Sequence, residues 1–114
     1  SGGGGLVNTG PNFRSLYNTY CESTWADVGS DGSYLSIDTN PYNWDDDGVA
    51  YSDAYYAIED VNAALGLPDS LFEEMGSTRG MDGKQTRTYS DKNLEISWSY
   101  HPDKGLEVTY RKIR

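Results

Sequence analysis

The chain contains a single cysteine, Cys21, and a single histidine, His101, among its 114 residues. An intrachain disulfide is therefore excluded, and so is a metal site built from several Cys and His ligands. A Ser-His-Asp triad would depend on His101, which falls in a predicted hairpin turn where a catalytic base would be poorly held. Cys21 lies on a predicted apolar helix stripe, so we interpret it as a small core residue.

Basic side chains are scarce in the first two thirds of the chain. Residues 1–78 carry one base, Arg14, against thirteen acids, whereas residues 79–114 carry eight bases and five acids, and the net charge is −9. A field this negative repels nucleic acid and anionic lipid, so neither is expected as a partner.

Long hydrophobic runs are also missing. The hydrophobic fraction is only 36%, and no stretch approaches the roughly 18 apolar residues that a membrane-spanning helix needs. Ten tyrosines and three tryptophans supply much of the apolar surface. The length and composition predict one small domain with an aromatic-rich core.

A glycine-rich segment opens the chain. We interpret residues 1–10 as a flexible tether and residues 11–114 as a single domain, because Ser1-Gly2-Gly3-Gly4-Gly5 has almost nothing to bury. This opening is similar to the polar linker that follows the lipidated cysteine of bacterial lipoproteins. The resemblance implies an extracytoplasmic domain tethered to the cell surface.

Hydrophobic periodicity predicts the elements before the acidic loop. From Pro11 to Gly29 apolar residues recur at steps of three and four, which predicts one amphipathic helix: Phe13, Leu16, Tyr17, Tyr20, Cys21, Trp25 and Val28. Residues 34–38 alternate between side chains of the two sheet faces, with Leu35 and Ile37 on one face, and predict a short strand. Pro41 prevents the strand from continuing, because proline has no backbone N–H to donate. Ser52 then begins a helix that Gly66 and Pro68 end, and residues 70–75 form a second short helix.

The last third of the chain predicts three antiparallel strands. Residues 84–89, 94–100 and 106–113 alternate between apolar and polar side chains, and two turn segments separate them. The predicted order is therefore α-β-α-α-β-β-β. This order is typical of an α+β fold with an antiparallel sheet and helices packed on one face.

Two groups of known proteins resemble parts of this pattern. Over about residues 52–113, two predicted helices are joined by Leu65-Gly66-Leu67-Pro68 and are followed by three predicted strands. This arrangement resembles the α-α-β-β-β modules of β-lactamase-inhibitor-protein type and of small lipoproteins that assist outer-membrane assembly. The stretches from Ser36 to Pro41 and from Trp98 to Leu106 resemble uncharacterised extracytoplasmic domains of Gram-positive bacteria. The amino-terminal helix and strand depart from the inhibitor-type module, so β-lactamase inhibition is not implied.

The acidic loop after the first strand is the local cluster with metal-binding chemistry. Asn43, Asp45, Asp47 and Gly48 match the first half of a calcium loop, but its twelfth position is Ala54 and the acid Asp53 comes one residue early. Oxygen ligands at alternate positions can still bind Ca²⁺ at low affinity. The alternative is that these acids are solvated and help to start the helix at Ser52, in which case the chain has no cofactor.

Aromatic side chains surround these acids, namely Tyr42, Trp44, Tyr51 and Tyr56. Exposed aromatics beside carboxylates can stack on sugar rings or anchor a protein partner, and they can equally pack as a lid on the core. We predict that any recognition surface of this chain includes these four residues.

The remaining carboxylates predict a solvated surface. Glu59/Asp60 and Glu73/Glu74 are adjacent pairs on helices, so the members of each pair point in different directions and do not form a catalytic dyad. Glu95 is expected to pair with Arg87 or Arg111 across strands.

The sequence therefore favours a non-enzymatic, extracytoplasmic binding or interaction domain whose partner is a protein or a carbohydrate. The alternative is a small enzyme or accessory domain acting on carbohydrate or peptidoglycan. That enzyme would need carboxylates that converge from distant segments and have shifted pKa values.

Overall fold

The computed structural model describes residues 12–41, 52–102 and 104–113. They form an α+β fold in which helices pack against an antiparallel sheet, as the sequence predicts. The helices are α1 (Phe13–Tyr20), α2 (Ser52–Ala64) and α3 (Asp69–Ser77), and the strands are β1 (Ala26–Val28), β2 (Tyr34–Asp38), β3 (Gln85–Tyr89), β4 (Leu94–His101) and β5 (Gly105–Lys112).

The five strands lie in the order β1-β2-β5-β4-β3, and every neighbouring pair is antiparallel. Strands β3, β4 and β5 form the predicted meander, with bounds within one residue of those expected. Strand β5 then inserts beside β2, so the last strand occupies the centre of the sheet. Gly105 begins β5 with a φ of +77°, a conformation that favours glycine.

Strand β1 replaces the second half of the predicted first helix, and this part of the prediction was wrong. Helix α1 ends at Tyr20, and Cys21 is extended. The Glu22 carbonyl then accepts hydrogen bonds from the backbone N–H groups of Trp25 and Ala26 at 3.2 and 2.9 Å. Segment 21–28 contains Ser23, Thr24 and Asp27, residue types that favour helix interiors little, and pairing of Val28 with Leu35 extends the sheet instead.

The core lies between the three helices and one face of the sheet. Alternate residues of β2, β4 and β5 are buried there, whereas their neighbours on the other face are partly exposed. The shared apolar faces of the predicted helices and strands predict a set of core residues. Nine of them are buried: Phe13, Leu35, Ile37, Ile58, Val61, Leu94, Ile96, Trp98 and Val108. Three others are partly buried against these nine: Leu16, Leu65 and Phe72.

Tyr20 is the exception among the predicted core residues, because its side chain is 37% exposed at the end of α1. Trp25 and Tyr110 are buried at 4% and 0% exposure and complete the core. Neither was in the predicted core set.

Candidate functional site

The predicted binding and metal residues fall mostly outside the described residues. This applies to the aromatics Tyr42, Trp44 and Tyr51 and to the calcium candidates Asn43, Asp45 and Asp47. The other two predicted residues, Asp53 and Tyr56, lie on the exposed side of α2, where Tyr56 is 61% exposed. Their spacing of three places both side chains on neighbouring positions of one helical surface.

A cleft between α2 and α3 lies beside this surface. Its volume is about 290 Å³. Ala63 of α2, Leu67 and Pro68 of the connecting turn, and Phe72 of α3 supply its apolar lining. By helical spacing Tyr56 lies about two turns before Ala63, so the exposed tyrosine extends the surface that this cleft opens onto.

Three exposed carboxylates surround this lining, contributed by Glu59 of α2 and by Asp69 and Glu73 of α3. The acids that follow Glu59 and Glu73 in the sequence do not line the cleft. These are Asp60 and Glu74, and Glu74 pairs with Arg87 at 3.1 Å. The prediction that adjacent acids point in different directions agrees with this arrangement. The sequence does not indicate that Glu59 of α2 and Glu73 of α3 line the same cleft.

The cleft is backed by a buried hydrogen-bond network. Tyr110 Oη donates to Asn62 Oδ1 at 2.6 Å, and Asn62 Nδ2 donates to Met75 Sδ at 3.8 Å. Burial raises the pKa of the Tyr110 hydroxyl well above its ordinary value. The phenol therefore stays protonated and keeps donating at all physiological pH values.

Gly76 of α3 lies against the end of the Tyr55 side chain of α2. A β-carbon placed at Gly76 would lie 2.7 Å from Tyr55 Oη. The Tyr55 ring in turn packs at a tilt of 54° against Phe72, with 5.2 Å between the ring centroids. Tyr55 therefore contacts α3 at both Gly76 and Phe72.

A second group of carboxylates lies on the opposite side of the sheet. Asp38 of β2 and Glu107 of β5 are directly paired residues in the antiparallel register, so their side chains are neighbours on this face. Partial burial raises the pKa of both carboxyls, and the neighbouring Asp38 charge raises that of Glu107 further, while Lys104 opposes this effect. Each of the two carboxyls therefore keeps its proton to a higher pH than an isolated carboxyl does.

Local backbone contacts fix Asp38 beside β5. Asp38 Oδ1 accepts a hydrogen bond from the Asn40 N–H at 2.9 Å. Thr39 Oγ1 donates to the Leu106 carbonyl and accepts from the Leu106 N–H, both at 3.0 Å. The sequence does not indicate this carboxyl pair, because only the β2–β5 register places the two residues opposite each other.

The raised pKa values predict a specific effect of removing one carboxyl. In an Asp38→Asn variant we expect the pKa of Glu107 to fall, because the repelling charge disappears and the amide can donate to the Glu107 carboxylate. Carbon-detected NMR titration of the Glu107 carboxyl in parent and variant measures this shift. A Glu95→Gln variant removes an acid from the same face and should change the Glu107 pKa much less; an unchanged pKa in Asp38→Asn would contradict the pairing.

The sign of the effect on stability follows from the same shifts. A carboxyl whose pKa is raised on folding binds more protons in the folded state, so its contribution to stability is greatest below its unfolded-state pKa. That contribution is lost as pH rises through the folded-state pKa. In Asp38→Asn the folding stability should therefore fall less than in the parent as the pH rises from mildly acidic to neutral values.

The remaining titratable candidates carry no catalytic arrangement. Burial raises the pKa of the Cys21 thiol to about 11, so it is protonated at neutral pH and unreactive. The predicted ion pair of Glu95 forms with Arg111 at 2.8 Å. Within residues 12–41, 52–102 and 104–113, no group of three or more His, Cys, Asp or Glu side chains is placed to hold a metal ion.

No protein-family model, curated protein or solved structure matches this chain. Among the described helices none is long and apolar enough to cross a membrane.

Proposed function

We propose that this chain is a non-enzymatic binding domain, tethered outside the cytoplasm by its glycine-rich amino terminus, that recognises a protein partner through α2 and α3. The observation that carries the proposal is the cleft between these helices. It combines an apolar lining with three exposed carboxylates, the mixture of a desolvated centre and a polar surround that characterises recognition surfaces.

Exposed aromatic surface beside the cleft supports the same proposal. The side chain of Tyr56 is 61% exposed, more than that of Tyr20 at 37% or of Tyr100 at 38%. A tyrosine offers a large apolar contact area at small entropic cost and is enriched at positions that dominate binding energy. Tyr42, Trp44 and Tyr51 stay predicted members of the binding surface.

The experiment that tests the proposal measures binding to a purified partner. The chain, immobilised through its amino terminus, is used to capture partners from an extracytoplasmic fraction, and the Kd of each purified candidate is then measured. We expect Tyr56→Ala to weaken binding about tenfold or more. Ala63→Phe should also weaken it, because the larger side chain fills the cleft from an exposed position.

Thr88→Ala provides the control for these variants, since Thr88 is exposed on the other side of the sheet. Its affinity should equal that of the parent. Full affinity in both Tyr56→Ala and Ala63→Phe would refute recognition through this side of the molecule.

The Asp38–Glu107 pair favours a second candidate function, a small enzyme or accessory domain acting on carbohydrate or peptidoglycan. Paired carboxyls with raised pKa values are typical of acid–base sites. Release of reducing sugar from peptidoglycan by the parent and not by Asp38→Asn would support this alternative over the binding domain.

Calcium binding by the acidic loop stays a separate prediction. Its ligands would be Asn43, Asp45 and Asp47, with Asp53 as the fourth candidate. Asp53 lies exposed in the first turn of α2, where a carboxylate also interacts favourably with the helix dipole. Both interpretations of Asp53 given by the sequence therefore stand.

A further inference from the structure

We infer that the cleft between α2 and α3 binds a cationic peptide segment of a protein partner, in which one large apolar side chain is flanked by Lys or Arg. This inference rests on the proposed function and names the chemistry of its partner. The apolar side chain would contact Leu67, Pro68 and Phe72, and the flanking cations would approach Glu59, Asp69 and Glu73.

The size of the cleft favours a single side chain. Its volume of about 290 Å³ lies just below the range of about 300–1,000 Å³ that is usual for small-molecule and cofactor pockets. A peptide can place one side chain there and keep its backbone outside. An extended cofactor would leave most of its surface in water.

The charge around the cleft specifies the sign of the partner. Residues 52–77 contain six acids and no base. Among the described residues only Glu74 of these six forms an ion pair, with Arg87 on the β3 side of α3. No described cation lies within ion-pairing distance of Glu59, Asp69 or Glu73, so these carboxylates are available to a basic partner.

The acids of α3 also repel one another in the free chain. Asp69 and Glu73 are four residues apart on one helix, a spacing at which like charges are mildly destabilising. A Lys or Arg placed between them and Glu59 relieves this repulsion. Lys92 Nζ approaches Gly66 at the end of α2, and among the described residues no cation pairs with Glu59 or Glu73.

The cleft is already shaped in the free chain. Phe72 is held by Tyr55, and Asn62 is held by Tyr110 and Met75. Ala63 is exposed and short, so it leaves the entrance open. A partner segment therefore loses its own freedom on binding but requires little reorganisation of the helices.

The test uses the whole chain and blocked synthetic peptides of equal length. Their central residue is Leu, and it is flanked by Lys in the first peptide, by Ser in the second and by Glu in the third; a fourth peptide has Lys flanks and a central Ser. Amide NMR shifts locate binding and give the Kd. We expect the Lys–Leu–Lys peptide to bind roughly tenfold tighter than the Ser-flanked one, as a few exposed ion pairs would produce.

Variants separate charge from shape. Glu59→Gln/Glu73→Gln should reduce the affinity for the Lys-flanked peptide to that for the Ser-flanked one, and Glu22→Gln, an exposed acid before β1, should not. Raising the salt from about 0.05 M to about 0.5 M should weaken binding several-fold. Ala63→Phe should remove the shifts of residues around Phe72.

Each opposite outcome overturns a defined part of the inference. Equal affinity for all flanking charges, with loss in Ala63→Phe, would refute the cationic partner and leave the binding domain intact. Binding of Lys-flanked peptides that is unaffected by Ala63→Phe or by the central Ser would reveal diffuse attraction and refute the cleft as the site. Concentration-dependent dimerisation of the chain alone, blocked by Ala63→Phe, would identify a second copy as the occupant and overturn the inference.

Discussion

Trp98→Ala should destabilise the domain by about 3–5 kcal/mol, the usual effect of truncating a large buried aromatic side chain. Trp98 is only 2% exposed and lies in the middle of β4. Its indole Nε1 donates to Thr78 Oγ1 at 2.8 Å, just beyond the end of α3. The Arg87 guanidinium lies 5.3 Å from the ring centroid. The substitution therefore removes core volume, a partly buried hydrogen bond and a cation–π contact together.

A loss of this size is a large share of the total stability of a small domain, which is about 5–15 kcal/mol. The midpoint of urea unfolding, followed by far-UV circular dichroism, should fall sharply or the variant should be unfolded. An unchanged midpoint would show that Trp98 is not part of the core.

Trp98→Phe separates the volume from the hydrogen bond. Phenylalanine keeps most of the buried ring but has no donor for Thr78. Thr78 Oγ1 itself still donates to the Glu74 carbonyl at 2.7 Å, so no buried hydroxyl loses all its partners. We expect Trp98→Phe to destabilise by about 1–2 kcal/mol, clearly less than Trp98→Ala.

The position of Trp98 was predictable because β4 shows an unbroken alternation of Leu94, Ile96 and Trp98 with polar residues. Local signals of this kind also predicted β3, β5, α2 and α3. The first helix was predicted too long because Trp25 and Val28 continue its periodicity in sequence. Their burial comes instead from a turn at Glu22 and from pairing with β2, which is a long-range contact that periodicity cannot indicate.

The candidate site was less accessible to sequence analysis than the fold. Tyr56 was predicted as a binding residue because it is one of the aromatic residues that surround the acidic loop in sequence. The structure places its side chain exposed on α2. The shared position of Glu59 and Glu73 in one cleft depends on how α3 packs against α2, where Tyr55 contacts Phe72. The Asp38–Glu107 pair depends on strand register. Both require distances between segments that are remote in the chain.

Tyr110→Phe is the second substitution that we expect to be strongly destabilising, because Tyr110 of β5 hydrogen-bonds Asn62 of α2. It should destabilise the domain by about 1–3 kcal/mol, because Asn62 Oδ1 loses its buried donor and is left unsatisfied. Asn62 is 3% exposed and Tyr110 is fully buried, and the bond between them is 2.6 Å long. The ring volume is unchanged, so the effect comes from the lost hydrogen bond and not from a cavity.

A double-mutant cycle isolates this bond. Asn62→Leu alone leaves the Tyr110 hydroxyl buried without its acceptor, whereas Tyr110→Phe/Asn62→Leu removes both polar partners. The double variant should therefore be less destabilised than the sum of the two single variants, by about 1–3 kcal/mol. Urea unfolding of the four proteins gives this difference. Strict additivity would mean that the two groups do not depend on each other, and the bond would then not be what holds α2 against β5.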